Sequence, residues 1–292
     1  MTSLRFAKMH GCGNDFVMID DRARQWVGQR AELTRRLCDR RSGLGADGLI
    51  LIEPASAGGD FTMVYVNADG LDGEMCGNGA RCTARFAAHL GLVGDRAAIE
   101  TAAGLIRAEI EGSEVRLAMT DPQDFVFGRR VGVDGREWIF DCVDTGVPHA
   151  VTFVDDLEGI EVERWGRLIR HHRDFAPRGT NVNFVKVGEE GLAMRTYERG
   201  VEAETLACGT GAVASALIAH RRYGLVPPIA VLTRGGERLT IDFTVVGAEL
   251  RQVRLIGPTA LVAEGEIAPE LLESLTSARP HDAHHPLAQT SS

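Results

Sequence analysis

The sequence predicts an α+β protein of two pseudo-symmetric domains that arise by internal duplication. Each is expected to be a curved, mostly antiparallel sheet around a central helix. Three observations carry this. The string CGNGA at 76–80 returns as CGTGA at 208–212, an offset of 132 (208 minus 76). The same offset places Tyr65 on Tyr197, Ala84 on Ala216, Ala87 on Ala219, Thr101 on Thr233 and Gly104 on Gly236. Strand-like runs dominate both halves and only two helical stretches interrupt each, a pattern that implies an α+β fold rather than alternating β-α units.

The elements follow in order. Near the start, MIDD at 18–21 matches FVDD at 153–156, so the offset drifts slightly there. In the first half FVMID (16–20), GLILIE (48–53), FTMVYV (61–66) and LIRAEIEGSEVRLAM (105–119) read as strands, the last as a hairpin. HAVTFV (149–154), NVNFVKV (181–187), LAMRTYE (192–198) and RLTIDFTVVGAELRQVRLI (238–256) answer them. Helices are expected over roughly 30–40 and 163–171, and again over 78–90 and 210–223. Gly91 and Gly224 stand where helices stop. The second helix of each pair is rich in alanine and apolar residues, which suits a helix buried on most sides. The expected limits are 1–122 for the first half and 123–259 for the second, with a segment near 260–275 returning to the first. Residues 277–292 lack periodicity and read as a disordered tail, and its His281, His284 and His285 as solvated side chains rather than metal ligands.

Composition narrows the function. The net charge of −9 argues against a nucleic-acid binder, which would show a basic face. The first sixteen residues carry charges and glycines instead of the apolar stretch of a secretion signal. No apolar run approaches the 18 or so residues of a membrane span. A cytoplasmic protein with reduced cysteines is expected. No C-x-x-C pair occurs, so no metal site is expected, and Cys12, Cys38, Cys82 and Cys142 read as small buried hydrophobes. Only two lysines, Lys8 and Lys186, are present, which disfavours pyridoxal chemistry.

The doubled motif carries the chemistry. A helix N-terminus presents unpaired N–H groups and the positive end of the helix dipole. Glycine lets a ligand approach the backbone closely. Each cysteine loop therefore reads as an anion cradle with a thiol beside it, and the same field is expected to lower the thiol pKa to about 7 or below. If the halves pack about a pseudo-two-fold axis, the thiols face each other across the α-carbon of a bound amino-acid carboxylate. One as thiolate removes the α-proton and the other as thiol returns a proton to the opposite face.

KMHGCGNDF (8–16), NADG (67–70), MCGNGARC (75–82), TNVNFV (180–185), YERG (197–200) and ACGTGA (207–212) stand in the order of the diaminopimelate epimerase family, which the chain resembles over about 1–268. The resemblance implies a cofactor-independent epimerase that interconverts LL- and meso-2,6-diaminopimelate, for lysine and peptidoglycan precursors, and a homodimer with its site between two domains. It makes Cys76 and Cys208 the acid/base pair. Gly77, Asn78, Gly209 and Thr210 become the α-carboxylate cradle, and Asn14, Asn67, Asn181 and Arg199 substrate contacts. Glu198 becomes a substrate contact at the distal amine and a tuner of thiol ionisation, and His149 a second tuner. Two positions depart from the pattern: Val147 stands for an asparagine, and Gly48 for a glutamine seen in some members. Alternatives are a proline-racemase-like or phenazine-biosynthesis-like isomerase on the same fold, a non-enzymatic amino-acid-binding module, and a thiol-nucleophile hydrolase.

Overall fold

The computed structural model describes residues 4–73 and 75–276. The tail expected over 277–292, with its three histidines, lies outside them. In the first half come β1 (Leu4–Gly11), β2 (Asn14–Asp20), α1 (Arg30–Cys38), β3 (Gly48–Pro54), β4 (Phe61–Asn67), α2 (Gly77–His89), β5 (Arg96–Thr101), β6 (Gly104–Glu111) and β7 (Glu114–Ala118). The second half has β8 (Gln123–Val133), β9 (Arg136–Asp144), β10 (Pro148–Phe153), α3 (Val162–Arg170), β11 (Asn181–Gly188), β12 (Gly191–Glu198) and β13 (Ala203–Thr205). It continues with α4 (Gly209–Tyr223), β14 (Ile229–Leu232), β15 (Arg238–Val246) and β16 (Glu249–Pro258). Last come β17 (Ala260–Ile267) and α5 (Pro269–Thr276).

The strand pairings repeat. β2–β3 is parallel, β3–β4 antiparallel, β4–β5 parallel, and β5–β6 and β6–β7 antiparallel. β10–β11, β11–β12, β12–β14, β14–β15 and β15–β16 follow the same sequence of senses. β17 extends the first sheet beside β1, and β8 extends the second beside β9. β7 and β16 pair antiparallel, with Leu117 opposite Leu255, and this joins the two sheets. Each sheet wraps a helix: α2 touches β1 to β7, and α4 touches β9 to β12 and β14 to β16.

The run GLILIE is apolar throughout because β3 is covered on both faces. Ile50 and Ile52 pack into the core around α2, while Leu49 and Leu51 pack with Leu33 and Leu37 of α1. β2 divides in the same way, Phe16 and Met18 toward α2 and Val17 and Ile19 toward α1. In the second half Val182 and Phe184 of β11 meet Trp165 and Ile169 of α3, and Val185 meets α4. Each fully buried leucine or isoleucine contributes roughly 1.5–3 kcal/mol. The wrapped helices are built of small residues because sheet closes on them from most sides: Ala80, Ala84 and Ala87 in α2, and Ala212, Ala214, Ala216 and Ala219 in α4, are wholly buried.

The four expected helices form within a residue or two of their expected limits, and Gly91 and Gly224 take the left-handed conformation just past α2 and α4. The hairpin of β8 and β9 was not visible as strand pattern. Its pairing shifts register twice, Asp124 and Gly128 have positive φ, and Phe127 and Ile139 stay exposed, so apolar alternation is broken.

Glu100 on β5 anchors the 55–60 loop. Its carboxylate accepts from the backbone N–H groups of Ser56, Ala57 and Gly59 and from the hydroxyls of Ser56 and Thr62. Those donors hold its pKa down to about 2. Because the folded pKa lies below the unfolded one, the stabilisation is present above about pH 4.3 and is lost as pH falls through about 2. Glu100→Gln should therefore lower stability at neutral pH and flatten its fall between pH 4 and 2, read by urea unfolding across that range. An unchanged acid limb would remove Glu100 as the anchor.

Candidate active site

Cys76 and Cys208 occupy the same place at two helix starts. Cys76 caps α2 with φ −117° and ψ 113°, and Cys208 caps α4 with φ −115° and ψ 108°. Each sulfur accepts the N–H three residues on, from Gly79 and from Gly211, both at 3.4 Å. The sulfur takes the place of the serine or aspartate oxygen that commonly caps a helix.

The two caps meet. A Cβ built on Gly209 would lie 3.8 Å from Gly77 Cα, and one on Gly77 would lie 4.0 Å from Gly209 Cα. Both would press on Leu255 Cδ2, at 2.9 and 3.1 Å. Glycine suits both positions because two helix ends and a leucine from β16 share the space, and a larger residue would have to displace Leu255. Asn78 ties the loops together: its Nδ2 donates to Ala207 O, next to Cys208, at 3.2 Å, and to Asn14 Oδ1 at 3.3 Å. Asn14 Oδ1 also accepts from the Cys76 thiol at 3.5 Å, and Asn14 Nδ2 donates to Asp47. Thr210 lies 3.6 Å from the Cys208 sulfur through its hydroxyl, and its carbonyl accepts from Thr145.

The remaining candidates gather from the second sheet. Glu198, at the end of β12, is hydrogen-bonded to the Cys208 thiol and to Thr205, and its charge reaches Cys76. Burial pushes the Glu198 carboxyl above the usual carboxylate range. Its side chain thus stands at the thiol pair. Asn181 Oδ1 accepts the Arg199 backbone N–H at 2.8 Å, and Asn181 Nδ2 donates to Pro148 O. His149 is buried beside Asn183, whose amide donates to its Nδ1 at 3.1 Å. The proton of the neutral ring then sits on Nε2, a buried atom without a hydrogen-bond partner. Burial and the nearby Arg199 charge hold the His149 pKa down to about 3, so its influence at neutral pH is that of a neutral dipole. Asn67 ends β4, half-buried and opposite Gly48.

The expected lowering of the thiol pKa values is not found. Burial is the largest influence on both thiols and outweighs the helix N–H groups. Cys76 is pushed up to about 11, with Glu198 adding to the rise and the N–H groups of Gly79 and Asn78 and the charge of Arg81 opposing it. Cys208 is raised well above its ordinary value, by burial and then by Glu198.

Sequence reasoning missed Tyr65 and Arg81. A Cβ on Gly48 would lie 2.5 Å from the Tyr65 ring, and one on Gly73 2.1 Å from it, so these glycines clamp the ring. Tyr65 thereby fills the space that a glutamine at 48 would need, and it lines a small cleft with Cys76 and Met75. Its match at the 132-residue offset, Tyr197, is a core residue beneath α3, which hid the difference. Val147, the other departure, is half-buried in the turn before β10, where its carbonyl accepts from Thr145 N–H.

Two sheets, each wrapped on a central helix, are a fold shared with solved structures. Over 92% of this chain and all of the other, the fold matches a PhzF-family phenazine biosynthesis protein from Bacillus anthracis, with a TM-score of 0.69 at 16% identity. A probable proline racemase from Agrobacterium radiobacter K84 matches with a TM-score of 0.69 at 18% identity, over 91% of this chain and 93% of its own. Within that class sequence is decisive. The diaminopimelate epimerase family model matches residues 6–126 and 141–259. Diaminopimelate epimerase from Aquifex aeolicus is 46% identical over 92% of this chain and 100% of its own length. The Chlorobaculum tepidum enzyme of that name is 42% identical over 89% and 99%. The chain belongs to the diaminopimelate epimerase family.

The contact between helix ends is testable by stability. Gly209→Ala should destabilise by about 1–3 kcal/mol through overpacking against Leu255 and Gly77. Leu255→Ala in the same chain should recover part of that loss, giving a double mutant more stable than the sum of the singles. Strictly additive losses in urea unfolding would show that the contact does not govern the site.

Proposed function

We propose that the protein interconverts LL- and meso-2,6-diaminopimelate by transferring protons at one α-carbon between Cys76 and Cys208. The observation that carries this is the meeting of two cysteine-capped helix N-termini at Gly77 and Gly209. Family membership supplies the substrate, an amino acid with two carboxylates and two ammonium groups.

The α-carboxylate fits between the helix ends, facing the first N–H groups of Gly77–Asn78 and Gly209–Thr210. Proton removal spreads negative charge onto that carboxylate, where the N–H groups and both helix dipoles stabilise it. The raised thiol pKa values in the free protein suit this order of events. Both sulfurs stay protonated until a substrate ammonium enters the enclosed site and favours a thiolate. Glu198, whose charge reaches both thiols and whose own carboxyl is raised, provides a nearby acceptor for a thiol proton. Asn14 holds the Cys76 thiol, and His149, neutral and buried, keeps its Nε2–H unpartnered. At the distal end Arg199 pairs with the second carboxylate, its backbone fixed by Asn181, with Asn67 as a further contact. The scheme uses only groups of the chain itself. We also propose a cytoplasmic homodimer; the support is the family, and no helix among the described residues is long and apolar enough to cross a membrane. Residues 1–122 with the returning 260–275, and residues 123–259, are taken as its two halves.

A proline-type substrate is the second reading, since a proline racemase shares the fold. It has no distal carboxylate for Arg199 and is the weaker fit.

Cys76→Ala and Cys208→Ala should each lose about 10²–10⁴ in kcat while remaining folded. The double variant should be little worse than either, because the pair acts as a unit. Near-normal turnover in either single variant would end the two-base reading. Arg199→Lys keeps the charge but not the planar fork. It should cost roughly 10- to 100-fold in kcat/KM on diaminopimelate, the value of one charge-assisted hydrogen bond. Equal kcat/KM for Arg199→Lys and wild type would place Arg199 outside the site.

A further inference from the structure

The two motifs differ in charge at one position. Arg81 of α2 stands where the 132-residue offset puts Val213 of α4. Arg81 is wholly buried, one turn inside the helix end, where the dipole already disfavours a cation. Its guanidinium donates to Asn78 Oδ1 at 2.8 Å, Gly77 O at 3.4 Å and Cys12 Sγ at 3.5 Å. Its Nε is buried without a hydrogen-bond partner, and among the described residues no carboxylate forms an ion pair with it. Arg81 shares the Cys12 thiol with Glu237, whose charge also acts on that thiol. A buried cation without an anion is costly to a fold. Here it lies directly under the cradle and thiol of the first motif.

The second motif has the opposite arrangement. Val213 belongs to the apolar core of α4, and the charge facing Cys208 is Glu198. Cys76 is faced by Arg81 from its own helix, Asn14 from β2, Tyr65 from β4 and Glu198 from β12. Thr210 on α4 completes the surroundings of Cys208.

We propose that Arg81 is a positioning residue for the reaction. Its charge makes Cys76, rather than Cys208, the thiol that ionises first, and its Nη2–H on Asn78 Oδ1 aims the Asn78 amide at Ala207 O beside Cys208 and at Asn14, which holds the Cys76 thiol. The duplicated site is thereby polarised: Glu198 reaches both sulfurs, while of the two motifs the first alone carries a buried arginine, and this gives two matched motifs unequal roles. Burial raises both thiols and Glu198 adds to the rise at each, while at Cys76 the Arg81 charge is among the influences that oppose it, after the Gly79 N–H. This rests on the two-cysteine reading, whose own failure would appear separately as turnover in the cysteine variants.

The experiment is iodoacetamide alkylation of the full-length protein at fixed pH 8, with Cys76 and Cys208 peptides followed separately by mass spectrometry. Arg81→Met removes charge and donors, Arg81→Gln removes charge but keeps donors, and Arg81→Lys keeps charge. In Arg81→Met and Arg81→Gln, Cys76 alkylation should slow about tenfold, the effect of one pKa unit below the midpoint. Cys208 should stay within about twofold of wild type, and Arg81→Lys should stay near wild type at both. The alkaline shift should reappear in the pH profile of kcat/KM. A folded Arg81→Gln or Arg81→Met with an unchanged Cys76 rate would overturn the proposal, as would equal slowing at both cysteines. If neither uncharged variant folds, thiolate absorbance titrations of Cys208→Ala and Cys76→Ala decide. The protein that retains Cys76 must titrate first, and the reverse order would overturn the assignment.

Discussion

Two helix ends share one small space. Gly77 and Gly209 approach so closely that a methyl group at either position would touch the other helix end and press on Leu255. The rest of the architecture serves that contact. Each helix is held by a sheet that wraps it, the sheets are joined through β7 and β16, and small residues let the wrapping close. Asn78 adds a polar tie from one cysteine loop to the backbone beside the other. Because the sulfurs cap the helices themselves, their positions follow from the helix positions, with little freedom left in the loops.

The same enclosure sets the electrostatics. A helix N-terminus favours a thiolate by about 1–2 kcal/mol, whereas burial of a charge costs several. Burial wins in the free protein, and both thiols lie above their ordinary range. An enclosed site of this kind is poised for a cationic substrate, which removes the penalty when it binds. His149 shows the complementary effect: enclosed beside Arg199, it stays neutral, so its part in any tuning is as a dipole held by Asn183.

Much of this was legible in the sequence because duplication doubles every signal. The offset between the cysteine motifs exposed the two halves, and the alanine-rich stretches after them announced helices enclosed by sheet. The family motifs brought together Asn14, Asn78, Glu198, Cys76 and Cys208, and the structure does place these around one pair of helix ends. What the sequence hid depended on distance and burial. Tyr65 looked like the counterpart of core Tyr197, and its role in filling the place of a side chain at Gly48 appears only from the ring's position. Arg81 stood inside the family string MCGNGARC with nothing in the sequence to mark its burial. The thiol pKa values were misjudged because a motif displays its dipole but not the depth at which it lies. β8 and β9 escaped because bulges break their alternation.

Two-base inversion between Cys76 and Cys208 is the central claim, and the source of the incoming proton tests it most directly. Purified protein is given LL-diaminopimelate in D₂O without added cofactor, and both product and recovered substrate are examined early in the reaction. The account predicts one solvent deuterium at the inverted α-carbon of the meso product and almost none in the recovered LL substrate, because the acid that delivers the proton is not the base that took it. Deuterium appearing in recovered substrate as fast as in product would mean that one base exchanges with solvent and serves both faces, and the paired helix ends would then need another explanation.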